Sequence, residues 1–141
     1  MLKPKAKKAR PPERDYSHRS LLDKLGVTAG LSVSIVGIRD ADFLRDTRAR
    51  TKNIVRGRAA AGSALVFLGA ESLSDLFDLR ALRDIIAKHG GVWVVFPKGQ
   101  KHIRGIDVIN AGKSAGLVDN KVASFSETHT ALRFVIPLAN R

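Results

Sequence analysis

Two hydrophobic periods divide the chain. Residues 31–37 (Leu-Ser-Val-Ser-Ile-Val-Gly) alternate apolar with small polar positions, the period of a strand with one buried face. Residues 63–69 and 92–96 are unbroken apolar runs of strand length, as expected for strands covered on both faces. Between them, residues 73–89 place Leu73, Leu76, Phe77, Leu79, Leu82, Ile85 and Ile86 on one broad helical stripe. Ser72 and Asp75 have the spacing of a capping box at its start, and Gly90-Gly91 stop it. Lys88 and His89 would then complement the negative C-terminal end of that helix.

Weaker patterns fill the gaps. A charged helix is predicted over residues 41–52, a short edge strand over 53–58 and a further helix over 103–114. Ser20 and Asp23 suggest another capping box, with Leu21, Leu22 and Leu25 as the apolar face of a short helix that Gly26 ends. From Gly116 to Pro137, two β-rich runs flank a polar connection around residues 126–130, a strand–loop–strand signal. Strands alternating with helices predict a Rossmann-like α/β fold. Its sheet would be mostly parallel, with helices on both faces and a C-terminal antiparallel strand pair, the pattern of methyltransferase-like Rossmann architecture. Residues 1–16 carry three prolines and six basic residues with almost nothing to bury, so they are expected to form a disordered basic tail. Residues 17–141 remain as a single α/β domain.

Several segments resemble a known family. Residues 20–26 (Ser-Leu-Leu-Asp-Lys-Leu-Gly), the strand over 33–37 and residues 92–98 (Val-Trp-Val-Val-Phe-Pro-Lys) belong to the likeness. Its most specific part is Gly-Leu-Val-Asp-Asn-Lys-Val over 116–122, followed by Ala-Leu-Arg-Phe-Val over 131–135. Together they resemble a small bacterial family known only as a domain of unknown function, number three-zero-five-two. The likeness spans roughly residues 17–135, and where the family pattern has an aromatic residue in the loop between the last two strands, this chain has His129. The resemblance implies the fold and brings no activity, cofactor or catalytic residue.

Composition narrows the chemistry. The chain has no cysteine, which excludes disulfides, thiolate metal sites and thiol nucleophiles. Its apolar runs are too short to cross a bilayer, and its basic start leads into Pro11-Pro12 rather than an apolar stretch, so a cytoplasmic, non-membrane protein is expected. A net charge of +12 points to a polyanionic partner. The densest charge is Arg45, Arg48, Arg50, Lys52, Arg56 and Arg58, relieved only by Asp46. Without an interleaved aromatic residue, such a face would follow phosphates rather than stack on bases.

In an open α/β sheet, ligands sit outside the carboxyl ends of the strands, which directs attention to residues 37–40, 69–72 and 97–101. Arg39, Asp40, Lys98 and Lys101 are the possible crevice residues. A dinucleotide-type site needs a glycine-rich turn after the first strand and an acidic residue closing the second. Gly37-Ile-Arg-Asp-Ala41 has a single glycine, and Arg56-Gly-Arg58 are basic, so the crevice reads as degenerate and no cofactor is expected. The four histidines lack metal-site spacing, and Ser124 and Ser126 show no base in the sequence. Asp119 and Lys121, two apart in a strand, would share a face as an ion pair. The first functional expectation is thus a non-enzymatic module binding nucleic acid, without sequence preference, or another polyanion. The alternatives are a small-ligand or enzymatic domain with a degenerate methyltransferase-like nucleotide crevice, and an adaptor for an acidic protein.

Overall fold

The computed structural model describes residues 21–141. The basic tail and Ser20 of the first capping pair lie outside the described residues. The chain forms β1 (Val33–Val36), α1 (Ala41–Arg50), β2 (Ile54–Arg56), β3 (Leu65–Gly69), a 3-10 helix (Leu73–Asp78) running into α2 (Leu79–Ile85), and β4 (Gly91–Pro97). α3 (Gly105–Ser114), β5 (Val118–Ser124) and β6 (His129–Val135) follow. The six strands lie in the order β2-β1-β3-β4-β6-β5. β1 to β4 pair in parallel, and β6 runs antiparallel to both of its neighbours, β4 and β5. This is the expected Rossmann-like sheet, and residues 53–58 do supply an edge strand.

The unbroken apolar runs are explained by two cores. Val66 and Leu68 of β3, with Val92, Val94 and Phe96 of β4, face Leu76, Leu79, Leu82, Ile103 and Val108 on one side. Leu65, Phe67, Trp93 and Val95 face Leu22, Leu25, Phe43 and Leu44 on the other. The helical turn over residues 21–25 is tied to the sheet by buried Trp93, whose indole N–H donates to the Leu25 carbonyl at 2.9 Å. No helix among the described residues is long and apolar enough to cross a membrane.

One face is not covered by helices throughout. Residues 57–64 carry the chain from β2 past β1 to β3 without a helix, although parallel crossovers usually need a dozen residues or more. Ser34 makes this possible. Its buried hydroxyl meets Ser63 Oγ at 2.8 Å and accepts the Ala60 N–H at 2.9 Å, so the crossover backbone is satisfied where a helix would have packed.

The helix expected over 73–89 is shorter and differently wound. Asp75 accepts the N–H groups of Glu71 and Ser72, so the start is capped as expected, but the turns that follow are 3-10. That winding turns Leu73 and Phe77 out of the core, and Phe77 is 74% exposed. α2 ends at Ile85 because the crossover takes over: Gly62 N–H donates to the Ile85 carbonyl at 2.7 Å and Ala87 N–H to Ser63 at 2.9 Å. Lys88 and His89 therefore lie beyond the helix and do not cap its negative end.

α3 sits tightly against the sheet at Gly112, where an added Cβ would run into the Phe134 ring. Gly112→Ala should lower stability by about 1–3 kcal/mol in urea unfolding, the ordinary cost of overpacking. At the head of α3, Asp107 accepts from the Arg104 guanidinium and from the Arg104 backbone N–H. The guanidinium bond, then the backbone bond, hold its carboxyl below the usual 3.8. A folded value below the unfolded one gives stability that is present above pH 4 or so and is lost as pH falls through the lower folded value. Asp107→Asn should therefore melt below the parent at pH 7, and the two melting temperatures should converge as pH drops below about 4.

Candidate functional site

Strand order reverses between β1 and β3: the chain leaves β1 for β2 on one side and then returns to β3 on the other. This is the switch point at which open α/β sheets open a crevice. A cleft of about 550 Å³ lies there, lined by the turn 37–40, by Gly69 and Glu71 after β3, by Val95, and by residues of the β5–β6 loop.

The first turn is built for close packing of protein on protein. Gly37 adopts φ 75°, a left-handed conformation that glycine alone takes without strain. Across from it, a Cβ on Gly69 would collide with the Gly37 carbonyl, so the two turns meet backbone to backbone. The space that a glycine would leave for a ligand is already filled. Asp40 then caps α1, its Oδ1 accepting the Phe43 N–H at 2.9 Å. The positive end of that helix, where a pyrophosphate would sit in a dinucleotide site, carries the protein's own carboxylate. At the end of β2, Arg56 stands where a ribose-binding acid would be needed. These residues do not form a nucleotide-cofactor cradle of the usual kind.

The polar side of the cleft comes from elsewhere. β6 enters the sheet next to β4, with His129 opposite Pro97, which brings the β5–β6 loop to the carboxyl ends of the parallel strands. His129 Nε2 meets Glu71 Oε2 at 2.8 Å, and its Nδ1 meets Thr128 Oγ1 at 2.8 Å. A neutral ring in this setting carries its hydrogen on Nε2, facing the carboxylate, and accepts the Thr128 hydroxyl at Nδ1. His102 adds a second tie, its Nε2 lying 2.9 Å from the Glu71 backbone oxygen. The result is a hydroxyl–imidazole–carboxylate chain at the cleft mouth. Ile38, Val95 and Phe125 supply the apolar wall, and Phe125 packs on Phe43 at a ring-centroid distance of 5.0 Å.

Of the crevice residues expected from sequence, Arg39 and Asp40 line this cleft. Lys98 donates to Ser124 Oγ at 2.9 Å, and neither it nor Lys101 is among the lining residues. The group that sequence reading missed is Glu71 with His129, a pair 58 positions apart with no spacing signal. Asp119 and Lys121 flank a bulge in the β5–β6 pairing, which breaks the alternation that would have put them on one face. No group of His, Asp and Glu among the described residues is arranged to hold a metal ion.

The basic residues of α1 and β2 divide by partner. Arg45 pairs with Asp42 at 3.1 Å and Asp46 at 3.3 Å, and Arg50 with Asp23 at 2.8 Å. Arg48, Lys52 and Arg56 border a separate shallow hollow, while exposed Arg58 lies outside its lining.

No family model matches the chain, and no curated protein matches it in sequence. Solved structures do match in shape. A SAM-dependent methyltransferase from Aquifex aeolicus aligns with a TM-score of 0.65 at 12% identity, over 90% of this chain and 94% of its own. The N-methyltransferase NodS from Bradyrhizobium japonicum gives 0.61 at 13%, over 88% and 96%. Magnesium protoporphyrin IX methyltransferase from Synechocystis, solved with bound SAM, gives 0.60 at 10%, over 87% and 77%. At these identities the likeness is one of fold: the chain is a mixed α/β domain of the kind these methyltransferases share.

Proposed function

We propose that this domain binds a small polar molecule of nucleoside size in the cleft at the β1/β3 switch point, on a methyltransferase-like frame without the cofactor cradle. The observation that carries the reading is the cleft itself. Its volume, about 550 Å³, falls within the span of small-molecule sites. An apolar wall of Ile38, Val95 and Phe125 faces a polar one of Arg39, Glu71, Ser126, Thr128 and His129. That division suits a planar apolar body bearing hydroxyl groups. Asp40 at the head of α1 disfavours a pyrophosphate, so a nucleoside suits the cleft better than a dinucleotide does. A neighbour of this fold solved with bound SAM supports a small-molecule site on such a frame. They do not carry methyl transfer to this chain. The resemblance to the uncharacterised bacterial family belongs to the same proposal, resting on the segment that forms β5 and on the sequence of β6.

Thermal-shift measurements on the full chain with adenosine, guanosine, cytidine, uridine, SAM and NAD test this. At least one nucleoside should raise the melting temperature by about 3 °C at saturation, and NAD should leave it unchanged. Glu71→Gln should abolish the shift while the unliganded protein stays folded, because Glu71 is exposed and its loss removes only a surface pair. No shift with any nucleoside, or an undiminished one in Glu71→Gln, would refute the assignment.

A further inference from the structure

The positive face of α1 and β2 holds fewer available charges than its sequence suggests, and those are concentrated in one place. Arg45 and Arg50 are engaged by aspartates, and Arg50 also donates to the Val27 carbonyl at 3.0 Å. Arg48, Lys52 and Arg56 are exposed and make no ion pair among the described residues. All three line one open hollow of about 390 Å³, floored by Thr51 and Ile54.

This hollow lies along the outer edge of the sheet, since β2 is an outermost strand among the described residues. β2 bonds inward through the Asn53 carbonyl, which accepts from Val33, and through Gly57 N–H, which donates to Ile35. Alternation along the strand turns the peptide N–H groups of Ile54 and Arg56 to the outside. Their carbonyls turn outward as well, so three exposed cations surround a backbone edge that presents both donors and acceptors. The C-terminal end of α1 contributes about half a negative charge, which the cations outweigh several-fold.

We propose that this hollow binds the sugar–phosphate backbone of nucleic acid, independently of base sequence. Phosphodiesters offer evenly spaced single charges without bulk, and that is what three long cationic side chains around one hollow can accept. A protein partner fits less well. Protein interface cores favour aromatic residues and arginine and disfavour lysine, and the hollow, with two arginines, has a lysine and no aromatic residue. The same lack of aromatics leaves nothing to stack on a base. This surface is separate from the cleft and does not depend on the cleft's ligand. The net charge of +12 adds long-range attraction that the hollow converts into contact.

The test is fluorescence anisotropy of the full chain with labelled duplex DNA, duplex RNA and polyglutamate across a salt series. One variant combines Arg48→Gln, Lys52→Gln and Arg56→Gln. A charge-matched control combines Arg80→Gln, Lys88→Gln and Lys113→Gln, which are exposed residues outside the hollow. Both nucleic acids should bind the parent with a steep salt slope. The hollow variant should lose about tenfold or more in affinity at low salt and flatten the slope by about two to three, as expected for three lost phosphate contacts. The control should change the slope by less than one such contact. Equal losses in the two variants would overturn the proposal in favour of a diffuse field. No nucleic-acid binding at low salt, or polyglutamate binding as tightly as the duplexes, would overturn it as well. Both variants should stay folded with melting temperatures only slightly below the parent, because none of the six side chains is buried and each set loses one cation from the last turn of a helix, worth about 0.3–1 kcal/mol.

Discussion

Burial of β3 and β4 on both faces is the constraint from which the rest of the structure follows. Each residue of β3 from Leu65 to Leu68 and of β4 from Gly91 to Phe96 is buried, so neither strand has a solvent side. The sheet must then be covered by a layer on each face: residues 21–25 and α1 cover one, and α2 and α3 cover the other. β6, reached through a short hairpin, is the one strand whose direction opposes the other five. Aligning four parallel carboxyl ends at one edge also brings the turns after β1 and β3 together. Gly37 and Gly69 are the residues that let those turns touch.

That contact leaves no room for a cofactor against the first turn. A glycine-rich turn serves a cofactor only if the volume freed by the missing side chains stays open. In this chain the freed volume is occupied by the neighbouring turn, and the helix end that would draw an anion is capped by Asp40. What remains of the crevice faces the β5–β6 loop instead. Its polar groups come from Arg39 and Asp40 of the first βα turn, from Glu71, and from the residues that precede and begin β6, so its chemistry depends on the antiparallel strand as well as on that turn.

The sequence made the sheet legible because double-sided burial leaves an unmistakable mark, an unbroken apolar run. It misled where a periodic pattern could be satisfied by two windings. Leu73 and Phe77 suit an α-helical stripe, yet the 3-10 turns carry them to solvent, and the end of α2 is set by N–H groups from the crossover loop. The alternating serines of residues 31–37 were legible as a strand but not as the support for that crossover; Ser34 acquires this role only when Ser63, 29 positions later, packs against it. Glu71 and His129 lie 58 positions apart, and the β3–β4 and β4–β6 pairings together bring them into contact. The basic run was legible as charge, but Asp23, which takes up Arg50, lies 27 residues away.

α1 joins the two surfaces that carry the functional proposals. Its N-terminus, capped by Asp40, forms one wall of the cleft, and its last turn holds Arg48 at the rim of the edge hollow. This polarity agrees with the helix dipole: Asp40 and Asp42 sit at the positive end, Arg48 and Arg50 at the negative end. The arrangement therefore stabilises the helix whether or not either surface is used, and charge distribution along α1 is by itself no evidence of binding. What distinguishes the hollow is the allocation of partners. A helix built only for its own stability would have no need of Lys52 and Arg56, which lie beyond its end, yet these complete a cationic rim around an exposed strand edge that Arg48 alone could not form.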